Sequence, residues 1–164
     1  MKQVITKLLI AALAIIPTGL LAKQLSVDEA QKIVQPFYDL FNLKDTEQAA
    51  RANMEHGWHS YYNNTDYKNL NDTMQAVVHG LPKMIPNMKW VQDDIAVTTA
   101  NQVVVRGTLT GTPAGDSFFG RPVDGKSFSI MTIDIHQVKN GKIVHSHHIE
   151  DWLSALGQLT PDTK

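Results

Sequence analysis

Apolar positions follow two different periods along this chain. Between residues 26 and 85 they recur at helical spacing, and from Met88 onward they alternate with polar residues as in strands. The second part predicts strands over Met88–Val97 and Gln102–Thr110, and then a hairpin whose first arm starts at Ser127. Helices followed by strands predict an α+β fold in a single domain.

Capping patterns place the helices. Ser26 with Glu29 has the form of a capping box and predicts a first helix, which Pro36 should bend. A second pattern at Asp45 predicts a short helix to about Glu55. A third helix should end at Pro86.

Asn140-Gly141 predicts a tight hairpin turn. With a two-residue loop, Val138 pairs with Ile143, and the pairs beyond it are His136–His145, Asp134–His147 and Ile130–Asp151. Because side chains alternate along a strand, one face should carry titratable groups that could line a pocket: Thr132, Asp134, His136, His145, His147 and Asp151. The other face, with Met131, Ile133, Ile135, His148, Glu150 and Trp152, is apolar enough to pack on a second subunit. A bulge that shifts the register by one residue would exchange the faces.

The composition excludes several functions. The formal net charge is −1 and the basic residues are scattered, so neither nucleic acid nor an anionic membrane is an expected partner. The absence of cysteine excludes disulfides, thiolate metal sites and a cysteine nucleophile.

The first 22 residues have the pattern of a signal peptide. Lys2 and Lys7 precede the short apolar run 8–21, and polar sequence begins at Lys23. We expect cleavage after Ala22, a single domain over 23–164, and a secreted or periplasmic product without a stable membrane anchor. The alternative is an uncleaved anchor, for which the apolar run is short.

Five segments, in order, resemble the SnoaL-like polyketide cyclases, or ester cyclases, of the NTF2-like superfamily. They are Pro86–Met88, Val103–Thr112, Phe119–Lys126, Asn140–Val144 and Asp151 with Leu156–Leu159. The resemblance implies a cone-shaped α+β barrel around a cavity, a homodimer formed through the outer sheet face, and no metal or organic cofactor. It also implies that Asp151 acts as general acid/base in an aldol ring closure.

This chain departs from the family pattern at Pro113, Val123-Asp124 and His147. The polar residues of the pocket are therefore redistributed, and the resemblance does not determine the substrate class.

Two acid/base units are candidates. Asp151 is the first, if an apolar cavity raises the pKa of its carboxyl; the alternative is that it caps the C-terminal tail. The predicted Asp134–His147 pair is the second, or else a structural cross-strand pair.

Further residues are candidates for contact with a ligand. Trp58, His59 and Tyr62 could line the pocket mouth or pack in the core, and His136 and His145 lie near the hairpin end. Arg106 either points inward to an anionic ligand or lies in solvent.

Three functions fit these residues. The first is a cofactor-independent acid/base enzyme acting on a small carbonyl-containing molecule. The second is a noncatalytic protein that binds a small molecule. The third is a metal-binding protein that uses His145 and His147 together with Asp134, Asp151 or His136.

Overall fold

A curved six-stranded sheet forms one layer of the fold, and its strand order is β2-β1-β8-β7-β4-β3. The structure, a computed structural model, describes residues 24–161, so the expected signal peptide lies outside the described residues. The strands are β1 (Met54–Tyr61), β2 (Tyr67–Asn69), β3 (Lys89–Val97), β4 (Gln102–Gly111), β7 (Phe128–Lys139) and β8 (Lys142–Glu150). A separate two-stranded hairpin consists of β5 (Ser117–Phe118) and β6 (Arg121–Pro122).

Short helices surround one long helix that packs against the inner face of this sheet. The long helix is α1 (Val27–Leu40). The shorter segments are α2 (Glu47–Ala52), α3 (Leu70–Met74), a π-helical segment (Gln75–Gly80), α4 (Leu81–Met84) and α5 (Trp152–Leu159). The α+β class predicted from the sequence is confirmed, although the sheet does not close into a barrel. Within residues 24–161, no helix is both long and apolar enough to cross a membrane.

Helix α1 supplies much of the core. Its capping box forms as predicted, because Ser26 and Glu29 each accept a hydrogen bond from the backbone N–H of the other. Pro36 has no N–H to donate to the carbonyl of Lys32, four residues earlier. The side-chain amide of Asn53 contacts that region instead, since its Nδ2 lies 2.9 Å from the Ile33 carbonyl oxygen and 3.4 Å from that of Lys32.

Strand β1 differs from the sequence prediction. The second helix ends at Ala52 instead of about Glu55, and residues 54–61 form a strand that buries Met54, Trp58 and Ser60. This strand lies parallel to β8, a long-range pairing that a local apolar pattern does not encode. The C-terminal tail also proves to be helix α5.

The predicted turn of the β7–β8 hairpin is present. Asn140 and Gly141 have φ angles of 51° and 75°, as a two-residue type I′ turn requires. Val138 pairs with Ile143 as predicted, but the next pair is Gln137 with His145. Val144 is therefore an extra, bulged residue, and the predicted pairs beyond it are wrong by one position.

Candidate functional site

A cavity of about 550 Å³ lies between the helices and the inner face of the sheet. Its wall is mainly aromatic and aliphatic, and includes Phe37, Tyr38, Phe41, Val77, Leu81, Trp90, Leu109, Phe119 and Trp152. Its polar wall residues include Ser60, Tyr62, Thr73, Thr132, Asp134, Ser146, His148 and Glu150. Such a volume and lining suit a small, largely apolar molecule with a few polar groups.

Asp134 is a buried carboxyl group in the cavity wall. Strand β7 directs it inward together with Thr132 and His136, and its side chain is 8% exposed. Burial raises the pKa of Asp134 from 3.8 to about 7, and the negative charge of Glu150 adds to the rise. The Tyr38 hydroxyl and the His148 charge lower this pKa by less. Near neutral pH the carboxyl therefore exists in both protonation states, as a general acid/base requires.

His148 and Glu150 form a half-buried ion pair beside Asp134. His148 is the cross-strand partner of Asp134, and its Nδ1 lies 2.9 Å from Glu150 Oε1. Burial alone would lower the pKa of His148, but the hydrogen bond and charge of Glu150 outweigh burial and raise it. The site thus combines a carboxyl group with an imidazole that favours its protonated, hydrogen-bond-donating form.

A buried chain of hydrogen-bonded polar side chains leads from Trp58 to Tyr38 and includes two residues of the cavity wall, Ser146 and Tyr38. Trp58 Nε1 lies 3.0 Å from Ser146 Oγ, Ser146 Oγ lies 2.7 Å from His136 Nδ1, and His136 Nε2 lies 2.8 Å from the Tyr38 hydroxyl. Burial lowers the pKa of His136 to about 3, and it raises the pKa of Tyr38 well above 10. Both groups are therefore neutral at physiological pH.

Ser146 and His136 have the separation of a nucleophile and its base, but not the chemistry. A general base must accept a proton near the working pH. Because the pKa of His136 is about 3, this imidazole does not activate the serine at neutral pH.

Thr73 is a polar wall residue without a hydrogen bond. Its side chain is 7% exposed, and it holds the one buried side-chain oxygen or nitrogen in residues 24–161 that lacks a partner. It lies in α3, next to the π-helical segment, and π-helical turns are frequent at functional sites. A ligand with a polar group at this position would satisfy the hydroxyl.

The bulge at Val144 changes which histidines face the cavity. Asp134 pairs with His148 instead of His147, and His136 pairs with Ser146 instead of His145. The inward residues of β8 after the bulge are Ser146, His148 and Glu150. His145 and His147 instead contact Tyr61 on the opposite face, with ring centroids 6.4 and 5.0 Å away.

Asp151 lies outside the cavity wall. Its carboxylate accepts hydrogen bonds from the backbone N–H and the hydroxyl of Ser154, and so caps helix α5. These hydrogen bonds lower the pKa of Asp151, and the group is fully exposed to solvent. A raised pKa of Asp151, which its use as an acid/base in an apolar cavity would need, is therefore wrong. The alternative from the sequence, that Asp151 caps the C-terminal segment, is confirmed. Its catalytic role stays a prediction.

The other candidate ligand-contact residues separate into three groups. Tyr62 lines the cavity mouth and is 50% exposed. Trp58 and His136 are buried in the hydrogen-bonded chain. His59 makes an edge-to-face contact with Tyr67, and Arg106 is exposed and pairs with Asp93 at 3.1 Å. Neither residue is part of the cavity wall.

Several site residues were missed from the sequence: Tyr38, Thr73, Trp90, Ser146, His148 and Glu150. Tyr38 lies four residues after Val34, on the apolar face of α1. A hydroxyl on such a face could have indicated from the sequence that Tyr38 contributes a polar group to the interior. His148 and Glu150 were assigned to the opposite face, and only the bulge brings them inward. Among residues 24–161, no group of three His, Asp or Glu side chains is placed to hold a metal ion.

A model of a known protein family matches most of the chain. The family model described as SnoaL-like polyketide cyclase matches residues 31–159, which is 129 of 164 residues. No curated protein sequence matches significantly.

Solved structures share the fold. TsrD from Streptomyces laurentii superposes with a TM-score of 0.68 at 20% identity, over 83% of this chain and 98% of TsrD. A candidate SnoaL-like polyketide cyclase from Jannaschia sp. CCS1 has a TM-score of 0.66 at 19% identity, over 87% and 100% of the two chains. A candidate polyketide cyclase from Bacillus cereus ATCC 10987 has a TM-score of 0.62 at 26% identity, over 82% and 85%.

Proposed function

Because the chain belongs to the SnoaL-like polyketide cyclase family, we propose that it is a cofactor-independent enzyme that uses Asp134 to move a proton on a small carbonyl compound. The observation that carries this proposal is the Asp134 carboxyl, which lies in the wall of a largely apolar cavity with a pKa of about 7. A carboxylate of that basicity, held out of water, is suited to remove a proton from a carbon next to a carbonyl group.

The proposed step begins with Asp134 ionised. Its carboxylate takes the proton from the α-carbon, and the electron pair of the broken C–H bond moves to the carbonyl oxygen as an enolate. The His148 imidazolium, held by Glu150, donates a hydrogen bond to that oxygen. The enolate then attacks an internal electrophile and closes a ring, or it takes the proton back at another carbon and isomerises.

The aromatic wall and the Thr73 hydroxyl indicate which kind of substrate would fit the cavity. The stacked rings of Tyr38 and Trp90, with centroids 4.0 Å apart, line a space suited to planar, apolar groups. A second polar group on the substrate would bond to the otherwise unpaired Thr73 hydroxyl.

The experiment that tests this proposal is α-proton exchange in D₂O, followed by ¹H NMR with 1-tetralone and 2-tetralone as enolisable probes. We expect the purified protein to accelerate exchange at pH 7.5 and Asp134→Asn to abolish the acceleration. Asp151→Asn, the matched control, should retain it. Loss of exchange in Asp151→Asn but not in Asp134→Asn would refute the proposal in favour of the aspartate implied by the family pattern.

The same assay separates catalysis from simple binding. If the probes raise the melting temperature but their protons never exchange faster than in buffer, the noncatalytic alternative is correct.

Export and self-association belong to this proposal as well. Residues 1–22 support export by their sequence pattern alone. The outer sheet face supports a homodimer because it exposes the apolar side chains of Met131 and Ile135.

A further inference from the structure

Three buried side chains that the proposed acid/base step does not use are linked by hydrogen bonds to Tyr38 in the cavity wall. Trp58, Ser146 and His136 are each at most 2% exposed. They are joined in sequence by hydrogen bonds, and the last of them bonds to the hydroxyl of Tyr38. Tyr38 and Asp134 both line the cavity, and the Tyr38 hydroxyl lowers the pKa of the Asp134 carboxyl.

The donors and acceptors that each side chain offers determine the direction of these hydrogen bonds. The indole N–H of Trp58 can only donate, so Ser146 Oγ accepts from it. The remaining proton of the Ser146 hydroxyl has one hydrogen-bonding neighbour within the described residues, His136 Nδ1. Ser146 therefore donates to Nδ1, and the single proton of the neutral imidazole lies on Nε2.

The Nε2–H of His136 must then donate to the Tyr38 oxygen, at 2.8 Å. Because the Tyr38 oxygen accepts this hydrogen bond, the Tyr38 O–H does not donate to His136. In the opposite tautomer Tyr38 would donate to His136 Nε2, and the Ser146 hydroxyl proton would have no acceptor among the described residues. A buried donor without an acceptor is costly.

We propose that Trp58, Ser146 and His136 form a one-way chain of hydrogen-bond donors that turns the Tyr38 O–H away from His136 and toward Asp134 and the cavity. Tyr38 is then a catalytic donor, and His136 and Ser146 are positioning residues. The inference rests on the proposed function in that Asp134 is the base whose reaction Tyr38 assists.

In this proposal the Tyr38 hydroxyl donates to the Asp134 carboxylate in the free protein, which agrees with its lowering of the Asp134 pKa. When Asp134 takes the α-proton and becomes neutral, negative charge develops on the carbonyl oxygen of the substrate. The Tyr38 hydroxyl then donates to that oxygen. Its own proton stays in place, because burial keeps the pKa of Tyr38 well above 10. His148 and Glu150 are the other charged groups that act on Asp134.

The first test measures the tautomer of His136 by long-range ¹H–¹⁵N NMR on protein labelled with [¹⁵N]histidine, without substrate. We expect a neutral Nε2–H ring between pH 5 and 8. A neutral Nδ1–H ring, or protonation of His136 in that range, would overturn the proposal.

Serine variants test what sets the tautomer. Ser146→Ala should allow the Nδ1–H form to appear, and Ser146→Thr, which keeps the hydroxyl, should restore Nε2–H alone. Ser60→Ala is the matched control, because Ser60 is also a buried wall residue and is the cross-strand partner of Ser146. An unchanged tautomer in Ser146→Ala would show that Ser146 does not set the direction.

The second test measures the Asp134 pKa by ¹³C NMR of its carboxyl. In Tyr38→Phe the pKa should rise above that of the parent protein, because the carboxylate loses a donor. Tyr62→Phe removes another hydroxyl from the same cavity wall and should leave the pKa unchanged. An unchanged value in Tyr38→Phe would overturn the role of Tyr38.

The donor chain and the proposed function can be refuted independently of each other. If exchange of tetralone protons survives Asp134→Asn, the function is refuted even where the His136 tautomer is Nε2–H. If the tautomer is Nδ1–H, the donor chain is refuted even where exchange still needs Asp134.

Discussion

Replacing Asp134 with asparagine should stabilise the folded protein at pH 8 while it removes activity. In the folded state the carboxyl has a pKa of about 7, against 3.8 as the ordinary value. At about 1.4 kcal/mol for each pKa unit, this difference corresponds to about 4 kcal/mol. The folded protein pays this cost wherever the carboxyl is ionised, because burial disfavours its charged form.

The sign follows from proton linkage. Between pH 3.8 and about 7 the unfolded chain has lost the proton of Asp134 and the folded protein still holds it. The free energy of unfolding therefore falls as the pH rises from 3.8 to about 7. Above that pH, Asp134 causes no further decrease. Asparagine does not titrate, so the stability of the variant relative to the parent should increase by about 4 kcal/mol from pH 4 to pH 8.

His136 has the opposite effect. Its pKa falls from 6.5 to about 3 in the folded state, so the unfolded chain takes up a proton below pH 6.5 and the folded protein does not. This costs stability as the pH falls. The two slopes oppose each other between about pH 4 and 6.5 in the parent protein. Asp134→Asn should remove the opposing slope and leave that of His136, to which the lowered pKa of His145 adds.

Urea unfolding followed by fluorescence of the buried Trp58 and Trp90 measures these differences at pH 4, 6 and 8. Asp151→Asn is the control of opposite sign, because the pKa of Asp151 is lowered by Ser154. Removing that carboxylate should cost stability at neutral pH and cost less in acid. If Asp134→Asn changes stability equally at pH 4 and pH 8, the carboxyl does not titrate near pH 7 in the folded protein, and the reasoning fails.

Three further predictions concern packing, assembly and export. Gly107→Ala should destabilise the protein by about 1–3 kcal/mol in urea unfolding, because the added Cβ would collide with the Trp90 indole; Gly57→Ala, with open space around it, should cost less, and equal losses would contradict the clash. Ile135→Lys on the outer sheet face should convert the proposed dimer to monomer in light scattering, and a parent protein that is already monomeric would refute the interface. Mass spectrometry of the exported product should find Lys23 as its first residue, and retention of residues 1–22 would exclude cleavage after Ala22.

Local chemistry determined much of this fold from the sequence alone. The Ser26 capping box, the Asn140-Gly141 turn and the inward alternation of Thr132, Asp134 and His136 are present as predicted. Each depends on residues within a few positions of one another. The α+β class and the family could be predicted for the same reason, because they rest on an ordered set of local patterns.

Asp134 was among the candidates from the sequence, but its partners could not be identified from it. A strand side chain changes face with every residue, so one bulged residue at Val144 exchanged His145 and His147 for Ser146 and His148. The approach of Tyr38 from α1, and of Trp58 from a strand parallel to β8, joins residues 98 and 88 positions apart.

The hairpin that the sequence marked contributes the titratable side chains of Asp134, His148 and Glu150 to the cavity wall. Tertiary structure decided which of its residues face the cavity, because facing depends on a register that one extra residue can shift. It also decided which carboxyl has a raised pKa. Asp134 is enclosed and loses its hydration, whereas Asp151 keeps solvent and caps a helix. Burial is a property of the whole fold, and no local pattern states it.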